Sequence, residues 1–163
     1  MASRGPERSV QLPVLDRLID DRPGQGDAPI GFHESVRRLK QAVLRDLDWL
    51  LNTRRNPEPV PDAYPEAQRS AYLYGLPDTT SLSADDPETR RALQQRIEEC
   101  IRLFEPRLAS VEVTLVAAPD NNKRMIRFVV EAILRMDPDP VRVVFDTMLD
   151  PSSGAIRVEG EHA

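Results

Sequence analysis

Apolar residues spaced three or four positions apart mark a helix in the first half of the chain. This spacing keeps them on one face of an α-helix, while polar residues occupy the opposite face. The pattern predicts an amphipathic helix over about 35–51 that packs on the core of the domain. The apolar positions are Val36, Leu39, Val43, Leu47 and Leu50.

A second long helix is predicted from Asp85 or Asp86 to about Glu105. Pro87 suits its first turn, where the missing N–H would have no helical partner in any case. Pro106 restricts the residue before it and cannot continue the helix, so the helix is expected to end near Glu105. Its core-facing positions are Leu93, Ile97, Cys100 and Phe104.

Two shorter helical segments are predicted outside these helices. One is a short apolar cluster of Leu12, Val14, Leu15, Leu18 and Ile19, of which the last three have the i, i+3, i+4 spacing of one or two helical turns. Packing of this segment on the domain's own core is the favoured interpretation, and docking on a partner is the alternative. A further helix over Glu66–Tyr74 is expected to stop at Gly75, because glycine readily adopts the left-handed conformation past a helix end.

The hydrophobic period changes from helical to alternating after Leu108. Alternation of apolar and polar residues predicts half-buried strands over about 111–115, 126–134, 141–149 and 155–159, with the first turn at 119–122. Short turns between consecutive strands favour an antiparallel meander. The predicted fold class is α+β, with about three helices packed on one face of a mainly antiparallel four-stranded sheet.

Length and composition favour one acidic domain. We expect a flexible N-terminal tail over 1–11, a single domain over 12–159 and a C-terminal tail over 160–163. The net charge of −5 and the pI of about 5.1 argue against nucleic acid or an anionic membrane as the main partner. No apolar run approaches the ~20 residues of a membrane span, and no signal-type core follows the N-terminus. A cytoplasmic protein is therefore expected.

Residues that could bind a metal or attack a substrate are few. Cys100 is the single cysteine, so it excludes an internal disulfide, and its place on the apolar stripe predicts a buried structural thiol. His33, expected in a loop, and His162, in the C-terminal tail, lack metal-ligand spacing. The sequence has no Gly-rich phosphate loop and no GxSxG elbow. We expect neither a metal nor a cofactor.

The carboxylate of Glu105 is the most unusual charge in the sequence. It is predicted at the negative end of a helix, where a carboxylate is unfavourable unless a cation lies close by. Arg107 is the obvious cation, and Arg102 is the local alternative. We interpret Glu105 and Arg107, on either side of Pro106, as an exposed ion pair that forms a charged knuckle for a partner.

Five segments of the chain carry a family resemblance. In sequence order they are Leu15–Leu18, Ser35–Arg55, Tyr74–Asp78, Phe104–Leu108 and Phe145–Asp150. Together they resemble the TssE family of type VI secretion baseplate subunits, which is related to wedge and sheath-initiator proteins of contractile phage tails. The resemblance covers about 12–158, and five ordered motifs are far more specific than any single one.

The resemblance implies a structural subunit of a bacterial baseplate. Members of the family sit in a wedge with TssF, TssG and TssK around the VgrG spike hub, and they help to start polymerisation of the TssB–TssC sheath. Two motifs of this chain match partner-contacting or signature motifs of the family. The resemblance assigns partner binding to Glu105, Pro106, Arg107 and Leu108 in one motif, and to Leu15, Arg17 and Leu18 in the other.

Two functions of different class are consistent with these observations. In the first, the domain is an assembly adaptor whose exposed strand edges are extended by strands of sheath subunits. In the second, it is a peptidoglycan hydrolase that uses Glu105, in keeping with a "lysozyme-like" label that the family has carried. Glycoside hydrolysis uses two carboxylates, and no motif supplies the second one. Arg107 beside Glu105 also favours the charged form over a proton donor, so the adaptor is preferred.

Overall fold

Helices cover one face of a β-sheet in the described part of the chain. The computed structural model describes residues 10–19, 24, 30–79, 86–116, 125–137 and 139–160. Its helices are α1 (Val14–Leu18), α2 (Phe32–Asn52) and α3 (Pro87–Phe104). Its strands are β1 (Leu108–Val116), β2 (Ile126–Leu134), β3 (Val141–Leu149) and β4 (Ile156–Gly160). The predicted α+β class is confirmed.

The strands of the described residues form an antiparallel meander in the order β1-β2-β3-β4. The register between β2 and β3 runs without interruption from Ile126 opposite Leu149 to Leu134 opposite Val141. Both strands have the predicted bounds because apolar side chains alternate along their whole length. In this sheet β1 and β4 are the edge strands.

The core lies between one face of the sheet and the two long helices. α3 packs on β1, and α2 packs on β4. Phe128 in β2, Leu47 in α2 and Ile97 in α3 are fully buried, as the two helical stripes and the strand alternation predict. Cys100 is also buried, and this burial raises the pKa of its thiol to about 11. The thiol is therefore part of the packing, as predicted.

α2 begins at Phe32, a few residues before its predicted start. Ser35 fixes this first turn, because its hydroxyl donates to the Phe32 carbonyl at 2.7 Å and accepts the N–H of Val10 at 3.0 Å. His33 consequently lies in the first turn of a helix, so its predicted loop position is wrong. His162 lies outside the described residues.

α3 begins and ends where the sequence predicts. Asp86 caps its start by accepting the N–H groups of Glu88 at 3.3 Å and of Thr89 at 3.0 Å. Pro87 occupies the first helical position, and Phe104 is the last helical residue. Glu105 therefore follows directly on the last turn of α3, as predicted.

The predicted helix over Glu66–Tyr74 is wrong. Two separate 3-10 turns, Ala67–Arg69 and Ala71–Leu73, occupy this segment. Ser70 separates them, because its backbone is extended and its hydroxyl accepts the N–H of Tyr72 at 3.3 Å. A serine side chain that bonds to nearby backbone in this way competes with a continuous helix.

Gly75 lets the following chain pass close to the end of α2. Its φ of 98° is the predicted left-handed conformation, and a Cβ at this position would overlap the carbonyl oxygen of Thr53. Next to it, the N–H of Leu76 donates to that carbonyl at 2.9 Å, and the N–H of Arg55 donates to the Leu76 carbonyl at 2.8 Å. Only glycine fits this crossing without strain.

Some predictions fall outside the described residues. This applies to residues 1–9 of the predicted tail, to the turn at 119–122 and to residues 161–163. Val10 packs against the core, so contacts of the domain begin slightly before the predicted boundary. The remaining domain bounds stay predictions.

Candidate partner-binding surfaces

Glu105 and Arg107 form the predicted ion pair at the end of α3. The Glu105 N–H donates to the Ile101 carbonyl at 2.8 Å, and its own carbonyl accepts the N–H of Leu108 at 3.1 Å. This tight turn folds the Arg107 guanidinium back, so that Nε donates to Oε1 of Glu105 at 2.6 Å and Nη2 donates to Oε2. Arg102 instead pairs with other groups of the domain. Arg107, and not Arg102, is therefore the cation that pairs with Glu105.

The ion pair is enclosed, contrary to the expectation of an exposed pair. The side chain of Glu105 is 4 % exposed, and that of Arg107 is 24 % exposed. The expectation was wrong because local sequence places Glu105 at a helix end but does not reveal its burial or the approach of Asp46 of α2 to Arg107. An enclosed charge that loses its partner costs far more than an exposed one. The pair therefore supports the fold itself.

Asp46 of α2 extends this pair into a larger network. Its Oδ2 accepts from Nη2 of Arg107 at 2.6 Å, and its Oδ1 accepts from Arg45 at 2.9 and 3.0 Å. Arg45 in turn donates to Oδ1 of Asp16 at 2.6 Å. We call Asp16, Arg45, Asp46, Arg107 and Glu105 the ion network.

The ion network keeps both of its cations charged. Hydrogen bonds to Glu105 raise the pKa of Arg107, and hydrogen bonds to Asp16 raise the pKa of Arg45. Each guanidinium bridges two carboxylates, so the network has three negative and two positive groups in alternation. Alternating charges in a half-buried site stabilise one another and fix the side chains that carry them.

The ion network joins α1 to the knuckle. Asp16 lies within the Leu15–Leu18 motif, and Glu105 begins the other predicted motif. Sequence analysis treated the two motifs separately and missed Asp16, Arg45 and Asp46 as their link. The adjacent opposite charges at 45 and 46, close to the apolar stripe of α2, are the only local signal of it.

α1 forms as predicted, but its apolar side chains do not pack on the core. Val14, Leu15, Leu18 and Ile19 are 61 %, 49 %, 76 % and 51 % exposed. The favoured interpretation of core packing is therefore wrong for these four side chains, whereas Leu12 of the same apolar cluster does pack against the core. A helix of this length with no buried side chain is held to the domain by the Asp16–Arg45 contact.

The other predicted binding residues divide into exposed and buried groups. Arg17 and Pro106 are exposed, whereas Leu108 is buried in the core. Trp49 is 52 % exposed, and its ring centroid lies 5.0 Å from the guanidinium carbon of Arg45. The accessible part of this region is therefore apolar side chains around a charged centre, a mixture typical of protein interfaces.

A cleft of about 330 Å³ lies beside the knuckle. Its walls come from the chain before α1, from α2, from Tyr74 and from the knuckle. Tyr74 packs edge-to-face on Phe104 with ring centroids 5.2 Å apart. Burial, with the charge of Asp46 as a smaller cause, raises the pKa of Tyr74. The cleft thus offers aromatic walls next to the ion network.

The geometry of Glu105 does not suit proton donation to a substrate. Both of its oxygens accept hydrogen bonds from Arg107, and Asp46 binds the same guanidinium. Asp46 is a nearby second carboxylate that no motif indicated, but Arg107 occupies the space between the two. Among the described residues, no group of His, Cys, Asp and Glu side chains is placed to hold a metal. No described helix is long and apolar enough to cross a membrane.

The free edge of β1 is covered by α3. The Gln94 side chain donates to the Val113 carbonyl at 2.5 Å, and the Arg102 side chain donates to the Val111 carbonyl at 2.9 Å. A bulge with Ser110 at φ 51° also interrupts the register of this strand. These features occupy or distort the groups that a further strand would need.

The Asn52 side chain of α2 covers the first residue of the free edge of β4. The Asn52 side chain donates to the Ile156 carbonyl at 2.7 Å and accepts the Ile156 N–H at 2.9 Å. Across the preceding turn, the N–H of Asp150 donates to the carbonyl of Ala155. Hydrogen-bonded and non-hydrogen-bonded pairs alternate along an antiparallel ladder, so the backbone N–H and C=O of Ile156 and Val158 point away from β3. Among the described residues, no side chain bonds to these groups of Val158.

The described surfaces combine exposed apolar side chains with an ion network on an α+β fold. The family model of baseplate wedge protein gp25 matches residues 37–139, which is more than half of the chain. The chain therefore belongs to the baseplate wedge protein gp25 family, and a structural role in a phage-tail-like baseplate follows. TssE is the type VI homologue of gp25, so the predicted resemblance is confirmed.

The family match covers one of the two predicted motifs. It includes the knuckle, α3 and β2, but it excludes α1 and ends before β3 begins. A search of curated proteins found no match.

Proposed function

We propose that this chain is a structural wedge subunit of a type VI secretion baseplate. It binds the wedge proteins TssF, TssG and TssK beside the VgrG spike hub and helps to start polymerisation of the TssB–TssC sheath. This assembly lies in the bacterial cytoplasm beneath the inner membrane. Membership of the baseplate wedge family and the five ordered motifs support this role.

The single observation that carries the proposal is the ion network, because it joins the two motifs predicted to bind partners into one surface. A wedge partner that binds α1 therefore also meets Pro106 and the adjoining cleft. In this arrangement the enclosed charges hold the shape of the surface. The exposed side chains of Leu15, Arg17 and Leu18 make the contacts.

Co-purification from cells tests this surface. We expect Leu15→Ser and Leu18→Ser to lose most TssF and TssG, because each removes an exposed apolar side chain without opening a cavity. Ile133→Ser is the matched control, since Ile133 is 39 % exposed but lies on the sheet. Wild-type yields of TssF and TssG with both α1 variants would contradict the proposal.

Sheath initiation is proposed to use the open edge of β4. An added strand from a sheath subunit would bond to the outward N–H and C=O of Val158, continuing the antiparallel sheet. The edge of β1 is a poorer template, because Gln94 and Arg102 already occupy its carbonyls. The two surfaces together give the subunit one face for the wedge and one edge for the sheath.

A peptidoglycan clearing assay separates this role from hydrolysis. We expect the purified protein to leave a peptidoglycan suspension unchanged, because Arg107 occupies both oxygens of Glu105. Clearing that is present in the wild type and absent in Glu105→Gln would establish the hydrolase instead.

A further inference from the structure

The side chains of β4 alternate between the core and the open face of the sheet. Val158 is partly buried against the core, whereas Arg157 and Glu159 are exposed on the opposite face. A strand added at this edge would have one residue opposite each of these three positions. The chemistry of β4 therefore constrains the sequence of the strand that it accepts.

The carboxylate of Glu159 has a like charge beside it on the neighbouring strand β3. It lies directly opposite Asp146 of β3. Asp146 bonds to Arg127 at 2.5 and 3.1 Å, and these bonds lower the pKa of Asp146, so it stays ionised. Like charges directly opposite each other destabilise a sheet. No ion pair to Glu159 forms within the described residues, so a basic residue on a strand added at the free edge would meet an unpaired carboxylate.

Arg157 presents the opposite case, a cation that lacks a carboxylate partner among the described residues. It lies opposite Met148 of β3, and among the described residues no carboxylate pairs with it. Opposite charges directly across a sheet are favourable, whereas a like charge is unfavourable. An acidic side chain on an added strand would therefore be stabilised opposite Arg157, and a basic one would be repelled.

We propose that the strand accepted by β4 reads basic–apolar–acidic from its N-terminus, with the three residues opposite Glu159, Val158 and Arg157. The order follows from antiparallel pairing, which all described ladders of the sheet use. The apolar residue lies opposite Val158 and faces the same side as the core. This inference rests on strand addition at β4 and specifies the partner strand.

Two peptides with reversed charges test the proposal. One carries Lys-Val-Glu and the other Glu-Val-Lys, each between identical threonine flanks, and both are titrated into the full chain while the Val158 amide is followed by NMR. We expect about a fivefold preference for Lys-Val-Glu, equal to about 1 kcal/mol, because two directly opposed charge pairs change sign. The preference should decrease at high salt, since these side chains are exposed.

A charge-reversed protein provides the second arm. Arg157→Glu combined with Glu159→Arg should prefer Glu-Val-Lys by a similar factor. Glu112→Lys is the matched control, because Glu112 also lies opposite an acid, Glu131, but on the covered edge. It should leave the preference unchanged.

The outcomes separate the inference from the proposed function. If both peptides shift the Val158 amide equally, the charge rule is wrong while strand addition stands. A preference of the wild type for Glu-Val-Lys also overturns the rule, because it requires parallel pairing. If neither peptide shifts that amide, β4 is not an accepting edge, and the inference fails with it. The wedge-binding role is tested separately by co-purification of TssF and TssG.

Discussion

Arg107→Ala is expected to destabilise the fold strongly, although Arg107 lies at the rim of a predicted binding surface. The substitution removes two hydrogen bonds to Glu105 and one to Asp46. It leaves the carboxylate of Glu105, 4 % exposed, without a cation. Removing one member of a buried pair costs about 3–5 kcal/mol. Because Arg107 and Asp46 are about a quarter exposed, we expect the lower end, about 3 kcal/mol.

A double-mutant cycle isolates the pair. Glu105→Gln alone leaves Arg107 with Asp46 as its remaining partner, so a smaller loss of about 1–2 kcal/mol is expected. Glu105→Gln combined with Arg107→Ala removes both charges and closes the cycle, and it should be more stable than Arg107→Ala because no uncompensated charge stays buried. The coupling energy expected between the two positions is about 2 kcal/mol.

Urea unfolding followed by circular dichroism measures these differences by linear extrapolation. For Arg107→Ala the thermal midpoint should also decrease by about 6–12 °C in a domain of this size. A loss below about 1 kcal/mol for Arg107→Ala would refute the reasoning, because that is the value of an exposed ion pair. It would mean that the carboxylate of Glu105 is solvated in solution.

Three further predictions concern the core, a turn and the sheet edge. Leu47→Ala should cost about 2–5 kcal/mol in urea unfolding, whereas Arg38→Ala on the exposed side of α2 should change stability by less than about 0.5 kcal/mol. Gly75→Ala should lower the thermal midpoint, because the new Cβ would overlap a backbone carbonyl; an unchanged midpoint would contradict this geometry. Val158→Pro should keep the circular dichroism spectrum but reduce fluorescent sheath counts in cells, whereas Ile156→Pro should also destabilise the fold, because it removes the N–H that bonds to Asn52. Normal sheath counts with a folded Val158→Pro variant would exclude strand addition at this position.

Elements with strong local periodicity could be predicted from the sequence. β2 and β3 have the predicted bounds because their alternation is unbroken, and α3 ends where Pro106 requires. The segment around Ser70 could not be predicted in the same way, because its apolar residues suggest a helix while a side-chain hydrogen bond divides it. The local hydrophobic pattern therefore predicts regular helices and strands. It fails where side chains compete for the hydrogen bonds of the backbone.

The candidate site could be predicted only in part, because its decisive contacts join distant positions. Glu105 and Arg107 are near neighbours, and their pairing follows from the turn between them. Asp46 is 61 positions from Arg107, and Asp16 is 29 positions from Arg45. The adjacent charges at 45 and 46 do not identify their distant partners, so the burial of Glu105 and the attachment of α1 emerge only from the fold.

The contact between Asn52 and Ile156 has a consequence for how an added strand would be positioned. A side-chain amide carries the same donor and acceptor as a peptide group, so Asn52 imitates one residue of a neighbouring strand. An incoming strand cannot slide past this imitation toward the preceding hairpin, and its first available partner is Val158. A slip along the edge is therefore blocked in one direction. Under the proposed strand addition, every strand accepted at this edge would therefore begin in the same register.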